Sequence, residues 1–475
     1  MSPPAREEIA VRPSELDSGR PVHLCGVAGS AMRGLAAMLR QRGFTVVGTD
    51  PRAAEVRELL EPLGVSVFAE QDGRRIRSGT QLLVATAAIP EDHPEIRAAR
   101  RLGLPVVKYA RMLGALMSES EGIAIAGTHG KTTTTALAVA ALRAAGARPG
   151  FVLGGQSTQL GGGADAGDGS LLVAEACEYD RSFLELAPRR LVVTNIEADH
   201  LDVYGDFRGV LSAFEQFVSR LPADGTLVFP DGCPHARRIA DRAGAGGVSF
   251  SVDAENERAE YRAGGIARSE EHTTFSLVIR GREAAKVRLR LPGRHNVSNA
   301  LAALAVCCEA GFDPEPLAGG IGGFAGVERR FELRGEVAGV VVVDDYAHHP
   351  TEIRALLEAA RERFPRRRTV VAFQPHQVSR TAAFLDDFAR ELARADELVL
   401  ADIYAARDGS GAETSSAELA DRIAVHGGRV EHIPTLERIA DHLESSLRPG
   451  DLLLTAGAGD VHRVAGEVLE RLAKR

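Results

Sequence analysis

Residues 122–132 read Gly-Ile-Ala-Ile-Ala-Gly-Thr-His-Gly-Lys-Thr, and this stretch decides the fold of the chain. The apolar run over 122–126 predicts a buried strand, and the residues from Lys131 to about Ala145 predict a helix. A glycine-rich loop between a strand and a helix directs backbone N–H groups at phosphate oxygens, and a lysine adds a positive charge. The loop is shorter than the common GxxxxGK[ST] pattern, because Ile125 stands where the first glycine of that pattern would fall. We expect a nucleotide-phosphate site here; an exposed lysine in an ordinary turn is the alternative.

The same alternation of short apolar runs and helical patterns continues along three segments of the chain, which predicts an α/β fold with parallel sheets. The segment from about 225 to 291 instead has short alternating runs, which predict a small antiparallel patch. The glycine-rich stretch 161–169 is expected to be a surface loop. The expected strands are 22–27, 44–49, 81–85, 122–126, 170–175, 190–195, 340–343, 368–373, 397–401 and 451–455. The expected helices are 30–42, 52–60, 131–145, 296–309 and 351–363.

Composition limits the class of protein. The 475 residues suit about three domains, and 44% hydrophobic with 26% charged residues exclude collagen, global disorder and small disulfide scaffolds. The net charge of 57 − 65 = −8, with no basic block, argues against a nucleic-acid partner. Five cysteines without CxxC spacing fit a reducing compartment. The polar start lacks a signal-peptide core and no long apolar run occurs, so we expect a cytoplasmic protein with no membrane partner and a flexible tail over 1–20.

Two further strand ends supply metal-ligand candidates. Glu175 ends the expected strand 170–175, which is the usual place for a Mg²⁺-binding carboxylate beside a phosphate loop. His200 follows the expected strand 190–195, and Mg²⁺ accepts one imidazole when phosphates and waters complete its shell. For each residue alone, an ordinary structural role is the alternative: Glu175 as a helix cap, and His200 as a polar side chain whose hydrogen bonds are satisfied.

The helix from 296 and the second segment boundary add nucleotide candidates. Asn296 and Asn299 are three residues apart on one helix face, and their carboxamides suit an adenine edge; helix capping by Asn296 is the alternative. Arg329 and Arg330 lie at the boundary, where an arginine can reach a γ-phosphate. A surface basic pair is the alternative.

Nine motifs in one order resemble the Mur ligase family over essentially all of residues 21–475. They are GVAGSAM (26–32), AGTHGKTTTT (126–135), EACEYDRSF (175–183), TNIEADHLD (194–202), PGRHNVSNALAA (292–303), GVERRFELRGE (326–336), DDYAHHPTEI (344–353), FQPHQVSRT (373–381) and AGAGDV (456–461).

This resemblance implies three domains: a Rossmann-like UDP-sugar domain over 21–117, a central ATP-binding domain over 118–331, and a C-terminal Rossmann-like amino-acid domain over 332–475. It implies ATP-dependent amide formation in cytoplasmic peptidoglycan precursor synthesis. The implied substrates are UDP-N-acetylmuramate and L-alanine, the intermediate is an acyl phosphate, and the cofactors are ATP and two Mg²⁺ ions. A monomer or a homodimer is expected.

The resemblance also implies roles for individual residues. Lys131, His200, Arg330 and His348 are the implied catalytic residues. The ATP-binding set is Gly127, Thr128, His129, Gly130, Lys131, Thr132, Thr133, Asn296, Asn299, Arg330 and Asp345. The UDP-sugar set is Gly26, Gly29, Ser30, Met32, Asp50 and Thr86. The amino acid and acyl phosphate are assigned to His348, His376 and Arg380, and the metal ions to Thr132, Glu175 and His200.

Three departures from the family pattern leave details open. Ala31 stands where the family usually has glycine, Ala28 precedes Gly29, and Gln377 stands where arginine is common. Two rival functions stay open: a murein tripeptide recycling ligase acting on the same UDP-sugar, and a catalytically silent UDP-sugar-binding paralogue. A GTPase switch is disfavoured, because no NKxD-type guanine reader is evident.

Overall fold

The computed structural model describes residues 12–243, 246–406 and 413–474. These residues divide into two compact units. The first comprises the described parts of 1–196, 211–249 and 302–317, and the second comprises those of 197–210, 250–301 and 318–475.

The first unit opens with a parallel five-stranded sheet. Its strands are β1 (Val22–Cys25), β2 (Val46–Thr49), β3 (Ser66–Phe68), β4 (Leu82–Ala85) and β5 (Val106–Lys108), in the order β3-β2-β1-β4-β5. Its helices are α1 (Ser30–Gln41), α2 (Ala53–Leu60), α3 (Pro94–Arg101) and α4 (Tyr109–Ser118). β1 and β4 are buried at every position, as expected of strands covered on both faces.

A second, mostly parallel sheet of the first unit begins with the strand that leads into the phosphate loop. Its strands are β6 (Glu121–Ala126), β7 (Gly150–Val152), β8 (Ala164–Asp165), β9 (Leu171–Glu175), β10 (Arg190–Val193) and β11 (Thr226–Pro230), in the order β11-β10-β6-β9-β7-β8. Only β8 runs antiparallel among these six described strands. Among the helices in this part of the chain, α5 (Lys131–Ala144) and α8 (Pro234–Arg242) belong to the first unit. α6 (Leu201–Tyr204) belongs to the second unit, and α7 (Phe207–Val218) begins in the second unit and belongs to the first from residue 211.

The antiparallel patch is confirmed, but it is shorter than predicted. After β12 (Gly246–Ser251), the strands β13 (Tyr261–Arg268), β14 (Thr273–Ile279) and β15 (Arg282–Leu289) pair antiparallel in sequence order. Residues 226–242 instead contribute a parallel strand and a helix. Two helices follow, α9 (Arg294–Glu309) and α10 (Pro314–Gly323).

The C-terminal sheet of the second unit has the order β16-β17-β21-β18-β19-β20, with only β16 antiparallel among its described strands. These are β16 (Glu332–Val337), β17 (Val340–Asp345), β18 (Arg368–Phe373), β19 (Glu397–Leu400), β20 (Val430–His432) and β21 (Asp451–Ala456). Its helices are α11 (Pro350–Arg363), α12 (Val378–Ala383), α13 (Leu385–Leu392), α14 (Ser416–Val425), α15 (Leu436–Ser446) and α16 (His462–Leu472).

The alternating valines of β17 explain why this sheet is a central layer. Val341 and Val343 join one buried cluster, and Val340 and Val342 join another. Successive side chains of a strand point to opposite faces, so an all-apolar strand requires helices on both. The predicted α/β class with parallel sheets is therefore confirmed.

Two loop expectations differ from the structure. The stretch 161–169 is not wholly a surface loop: Ala164 and Asp165 form β8, and Ala166 is buried with its N–H donated to Gln41. Of the predicted flexible tail, residues 1–11 lie outside the described residues. Residues 12–20 belong to the first unit, where Gln81 Oε1 accepts the Asp17 N–H and Gln81 Nε2 donates to Arg20 O. The sequence did not predict the order of these two stretches, because a polar residue that bonds a distant partner has the same local sequence as one that faces solvent.

Candidate active site

The phosphate loop lies between β6 and α5 and depends on two glycines with positive φ. Gly127 has φ 130° and Gly130 has φ 82°. A Cβ at Gly127 would lie 2.0 Å from Thr194 Oγ1, so only glycine fits this position. Lys131 is the first residue of α5, which places the helix N-terminus at the loop.

The neighbouring strand β10 fixes the shape of this loop. Asn195 Oδ1 accepts the His129 N–H at 2.9 Å, and Asn195 Nδ2 donates to His129 O at 3.0 Å. Thr128 N–H donates to Asn195 O at 3.1 Å. β10 ends at Val193, not at the predicted Asn195, and this frees Asn195 to bond the loop. The sequence analysis did not single out Asn195; its position at the end of a strand parallel to β6 is the signal that identifies it.

Lys131 is half-buried, and its ammonium group lies among oxygen atoms. Its Nζ donates to Gly127 O at 2.7 Å and to Thr128 O at 3.0 Å, and it lies 2.8 Å from Glu178 Oε2. Burial alone would lower the pKa of Lys131, but the charge of Glu178 outweighs it and raises the pKa above its usual value. Lys131 therefore carries a fixed positive charge. Glu178 was not predicted as a site residue, although it lies within the quoted motif EACEYDRSF (175–183).

Oxygen ligands suited to Mg²⁺ lie at the same sheet edge. Glu175 ends β9 as predicted, and its Oε2 accepts the Gly154 N–H at 2.8 Å. A Cβ at residue 154 would lie 2.8 Å from both oxygens of that carboxylate, so Gly154 provides its space. Thr132, in the first turn of α5, is 3% exposed, and Thr133 is also buried. A carboxylate and a hydroxyl are hard oxygen donors, so this pair fits Mg²⁺.

The loop after β1 repeats the strand–glycine–helix arrangement without a lysine. Gly26 has φ 92°, and a Cβ there would lie 2.5 Å from Thr86 Cγ2. Asp50 Oδ2 accepts the Ala28 N–H at 3.0 Å. Gly29 is the N-cap of α1, and Ser30 is its first residue. Met32 is 1% exposed, so its side chain belongs to the core and not to the surface of the loop.

In the second unit, the two asparagines of α9 are linked to each other. Asn296 Nδ2 donates to Pro292 O at 2.7 Å, and Asn299 Nδ2 donates to Asn296 Oδ1 at 3.2 Å. α9 begins at Arg294, so Asn296 lies inside the helix and its amide donates. The alternative of helix capping by Asn296 is not observed.

The two arginines before β16 have different surroundings. Both guanidinium groups lie 5.0 Å from the ring centroid of Tyr346, but Arg329 also bonds Asp344 Oδ2 at 3.2 Å and Gly457 O at 2.5 Å. Asp345 accepts the N–H groups of Phe331 and Ala347, both at 2.7 Å. Burial raises the pKa of Asp345 to about 6, although Arg330 and these two N–H groups oppose it. The pair is half-buried, so the alternative of a surface basic pair does not describe it.

Three residues predicted for the amino-acid end come together with a fourth, and we call Asp199, His348, His376 and Arg380 the imidazole–guanidinium cluster. Arg380 is 6% exposed and donates through Nε and Nη2 to Asp199 Oδ1 at 3.2 and 3.0 Å. Its Nη1 lies 3.4 Å from His376 Nδ1, and the ring centroids of His348 and His376 are 6.0 Å apart. Burial alone would raise the pKa of Asp199, but the charge of Arg380 lowers it well below its usual range.

His348 is held as a neutral imidazole. Burial lowers its pKa to about 4, with Arg380 acting in the same direction against the charge of Glu352. His348 Nδ1 lies 2.9 Å from Tyr346 O. Because a carbonyl only accepts, Nδ1 carries the proton and Nε2 keeps the lone pair.

His200 lies beside this cluster in the chain and in space. It precedes α6 with φ 52°, and its N–H donates to Asp199 Oδ1 at 2.8 Å. The Nε2 atom lies 3.8 Å from Asp199 Oδ2. Asp199 thus orders both His200 and Arg380, which sequence reasoning missed although the residue lies within a quoted motif.

Three sequence profiles of one family match the chain in order. They are the Mur ligase family catalytic domain over residues 21–121, the Mur ligase middle domain over 125–307, and the Mur ligase glutamate ligase domain over 329–459. Within residues 12–243, 246–406 and 413–474, no helix has the length and apolar character needed to cross a membrane.

Named relatives match over nearly their whole length. The chain is 39% identical to the UDP-N-acetylmuramate–L-alanine ligase of Salinibacter ruber, covering 98% of this chain and 97% of the relative. It is 43% identical to the ligase of the same name from Kineococcus radiotolerans, covering 96% of each. The crystal structure of UDP-N-acetylmuramate-alanine ligase from Thermotoga maritima matches with a TM-score of 0.79 and 28% identity, over 96% of this chain and 99% of that one. This chain therefore belongs to the Mur ligase family.

Proposed function

We propose that this protein is an ATP-dependent ligase that joins L-alanine to the carboxylate of UDP-N-acetylmuramate. The observation that carries the proposal is the similarity, over 96–98% of the chain, to relatives named for that reaction. The phosphate loop supports it independently, because a half-buried, permanently charged Lys131 at a helix N-terminus suits a nucleotide phosphate.

The reaction requires an activated carboxylate. A carboxylate is a poor electrophile, because attack would place more charge on an anion. In the proposed first step, a carboxylate oxygen attacks the γ-phosphorus of ATP and the bond to the β-phosphate oxygen breaks, giving an acyl phosphate and ADP. The amine of L-alanine then attacks the acyl carbon, loses a proton, and expels inorganic phosphate.

The phosphoryl-transfer step needs positive charge around the nucleotide. We assign the β- and γ-phosphates to the loop 127–130 and Lys131, and the γ-phosphate also to Arg330. Glu178 now neutralises Lys131, so phosphate oxygens would replace that carboxylate as the partner of Nζ. Asn296 and Asn299 are proposed to bind the adenine, and Asp345 the ribose or a phosphate.

Mg²⁺ fits the donors that the chain offers. Thr132 and Glu175 provide a hydroxyl and a carboxylate oxygen for one ion, and His200 with Glu175 is assigned to a second. Bound Mg²⁺ would neutralise charge on the triphosphate during phosphoryl transfer.

The amine-transfer step is assigned to the imidazole–guanidinium cluster. The fixed charge of Arg380 suits the carboxylate of the incoming amino acid or the acyl phosphate, and His376 lies beside it. His348 has the lone pair of Nε2 available at neutral pH, so we propose that it accepts the proton of the attacking amine. The loop around Gly26, with Asp50 and Thr86, is assigned to the UDP-sugar.

The domain limits 21–117, 118–331 and 332–475 and a cytoplasmic location complete the proposal, since ATP and UDP-sugars are cytoplasmic metabolites.

A phosphate-release assay tests the proposal directly. The purified chain is given ATP, Mg²⁺ and UDP-N-acetylmuramate with L-alanine, glycine, L-serine or the tripeptide L-alanyl-γ-D-glutamyl-meso-diaminopimelate in separate reactions. We expect phosphate release that needs both the UDP-sugar and L-alanine. Release with the tripeptide alone would identify the recycling ligase, and no release with any substrate would support the silent paralogue.

A further inference from the structure

A second group of potential metal ligands lies in the first unit, apart from the phosphate loop. Cys25 ends β1, His93 directly precedes α3, and Glu95 lies in its first turn. One side-chain ligand atom from each lies within 4.8 Å of the other two. The three donors are a thiol, an imidazole and a carboxylate, and each of them is a ligand type that proteins use for Zn²⁺.

The spacing of the two softer donors fits a tetrahedral ion. Cys25 Sγ and His93 Nδ1 are 3.7 Å apart. Zn–S and Zn–N bonds of about 2.3 and 2.05 Å at a tetrahedral angle place sulfur and nitrogen about 3.6 Å apart. His93 Nδ1 also accepts the Glu95 N–H, but at 3.3 Å this bond is long and an ion can displace it.

The charges of the group balance a divalent cation. Cys25 and Glu95 are both fully buried, so a thiolate at Cys25 needs a cation beside it and the thiol otherwise keeps its proton. Glu95 already has hydrogen bonds with His23 and Thr49, which favour the ionised carboxylate. A divalent cation would replace the thiol proton, which leaves to solvent. Thiolate, carboxylate and cation then sum to zero charge.

Two residues that are not proposed as ligands hold the Glu95 carboxylate in place by hydrogen bonds. His23 Nε2 lies 3.1 Å from Glu95 Oε1, and Thr49 Oγ1 donates to Glu95 Oε2 at 2.7 Å. Each carboxylate oxygen keeps a further lone pair for a cation. Such outer hydrogen bonds are a regular feature of protein metal sites.

We propose that Cys25, His93 and Glu95 bind one borderline-soft divalent cation of the Zn²⁺ class, with water as fourth ligand. The half-buried His93 provides the route from solvent, since Cys25 and Glu95 have no exposed surface. Mg²⁺ does not compete, because thiolate and imidazole are poor ligands for it. The ion would join the end of β1, immediately before Gly26, to the start of α3.

Cobalt spectroscopy tests the site with the full chain and no substrates, so the result is independent of the proposed ligase activity. Metal-free protein is titrated with Co²⁺, which reports tetrahedral coordination by visible bands and thiolate ligation by a near-ultraviolet charge-transfer band. We expect one Co²⁺ per chain, displaced by one equivalent of Zn²⁺ and retained in excess Mg²⁺.

Three variants locate the ion. Cys25→Ser should abolish the charge-transfer band, and His93→Asn should weaken Co²⁺ binding more than about 100-fold, since loss of even an outer partner costs about 10–100-fold. Cys233→Ser, at the half-buried N-cap of α8, should keep both. Circular dichroism verifies that each variant is folded. The proposal fails if wild-type protein gives no thiolate band, or if the band survives in folded Cys25→Ser.

Discussion

The phosphate loop and the imidazole–guanidinium cluster are built in opposite ways. The loop is one continuous stretch, 126–132, shaped by two glycines and by bonds from Asn195 on the next strand. The cluster gathers Asp199, His348, His376 and Arg380 from three separate segments of the chain. A phosphate site needs mainly backbone N–H groups, which a local motif supplies. The amino-acid site that we propose at the cluster needs side chains of opposite charge, which only tertiary packing brings together.

The two regions also differ in how they hold charge. Lys131 is charged at every physiological pH, because Glu178 offsets the effect of burial on its pKa. In the cluster, Arg380 is charged but His348 is neutral, because burial lowers its pKa to about 4. We infer that the loop provides fixed electrostatic stabilisation and the cluster provides proton transfer. Four predictions test this contrast.

The largest expected effect is on the phosphate loop. Lys131→Ala should raise the activation free energy of ADP formation by about 3 kcal/mol or more, because it removes the fixed charge at the transferring phosphoryl group. This increase corresponds to a decrease of roughly 100-fold or more in kcat. Lys286→Ala is the matched control, since Lys286 is 74% exposed on β15. A coupled ADP assay measures both, and wild-type turnover in Lys131→Ala would contradict the assigned role.

The second prediction moves to the cluster. Asp199→Asn keeps the size of the side chain but removes the charge that pairs with Arg380, which is buried. Loss of this charge-assisted bond should lower the free energy of unfolding by about 2 kcal/mol. It should also raise KM for L-alanine more than KM for ATP. Asp421→Asn, on the exposed face of α14, serves as control. Equal changes in both KM values would show that the two regions are not functionally distinct.

The contrast between a local loop and a cluster assembled by tertiary packing also explains which features of the molecule the sequence predicts. The loop, Lys131 and the strand that ends at Glu175 follow from local patterns, because glycine, strand and helix preferences act within a few residues. The α/β class follows from runs such as 340–343, which are apolar at every position and therefore buried on both faces.

The partners of these residues do not follow from local patterns. Glu178 pairs with Lys131 across 47 residues, and Asp199 pairs with Arg380 across 181. A charged residue with a distant partner has the same local sequence as a solvated one. The roles of His348, His376 and Arg380 come only from the family resemblance, and Asp199 received no role although it lies within the motif 194–202. The sequence also did not predict the strand at 164–165, because its pairing with β7 spans a glycine-rich stretch.

The third prediction tests whether the shape of the phosphate loop depends on contacts from outside the loop. Asn195→Ala removes both side-chain bonds to His129, so it should lower the free energy of unfolding by about 1–2 kcal/mol and raise KM for ATP several-fold. Asn195→Asp keeps the acceptor and loses the donor, so its KM for ATP should be intermediate. Gln216→Ala on α7 removes one exposed hydrogen bond and is the control. Unchanged ATP binding in Asn195→Ala would mean that the glycines alone set the shape of the loop.

The fourth prediction concerns the neutral imidazole of the cluster. The pKa of His348 is about 4 in the folded protein, against an ordinary value of 6.5. Between these values the unfolded chain binds more protons than the folded one, so the contribution of His348 makes the free energy of unfolding rise with pH from about 4 to 6.5. One group changes this energy by at most about 1.4 kcal/mol per pH unit.

As the pH falls below 6.5, the free energy of unfolding of His348→Asn should therefore decrease less than that of the wild type. Urea unfolding at a series of pH values measures both. Asn195→Ala removes a group that does not titrate, so its curve should be shifted but parallel to that of the wild type. If His348→Asn also gives a parallel curve, His348 is not held neutral by burial. The cluster would then carry a protonated imidazole in the same range, and the proposed proton acceptor would have to be sought elsewhere than on Nε2 of this residue.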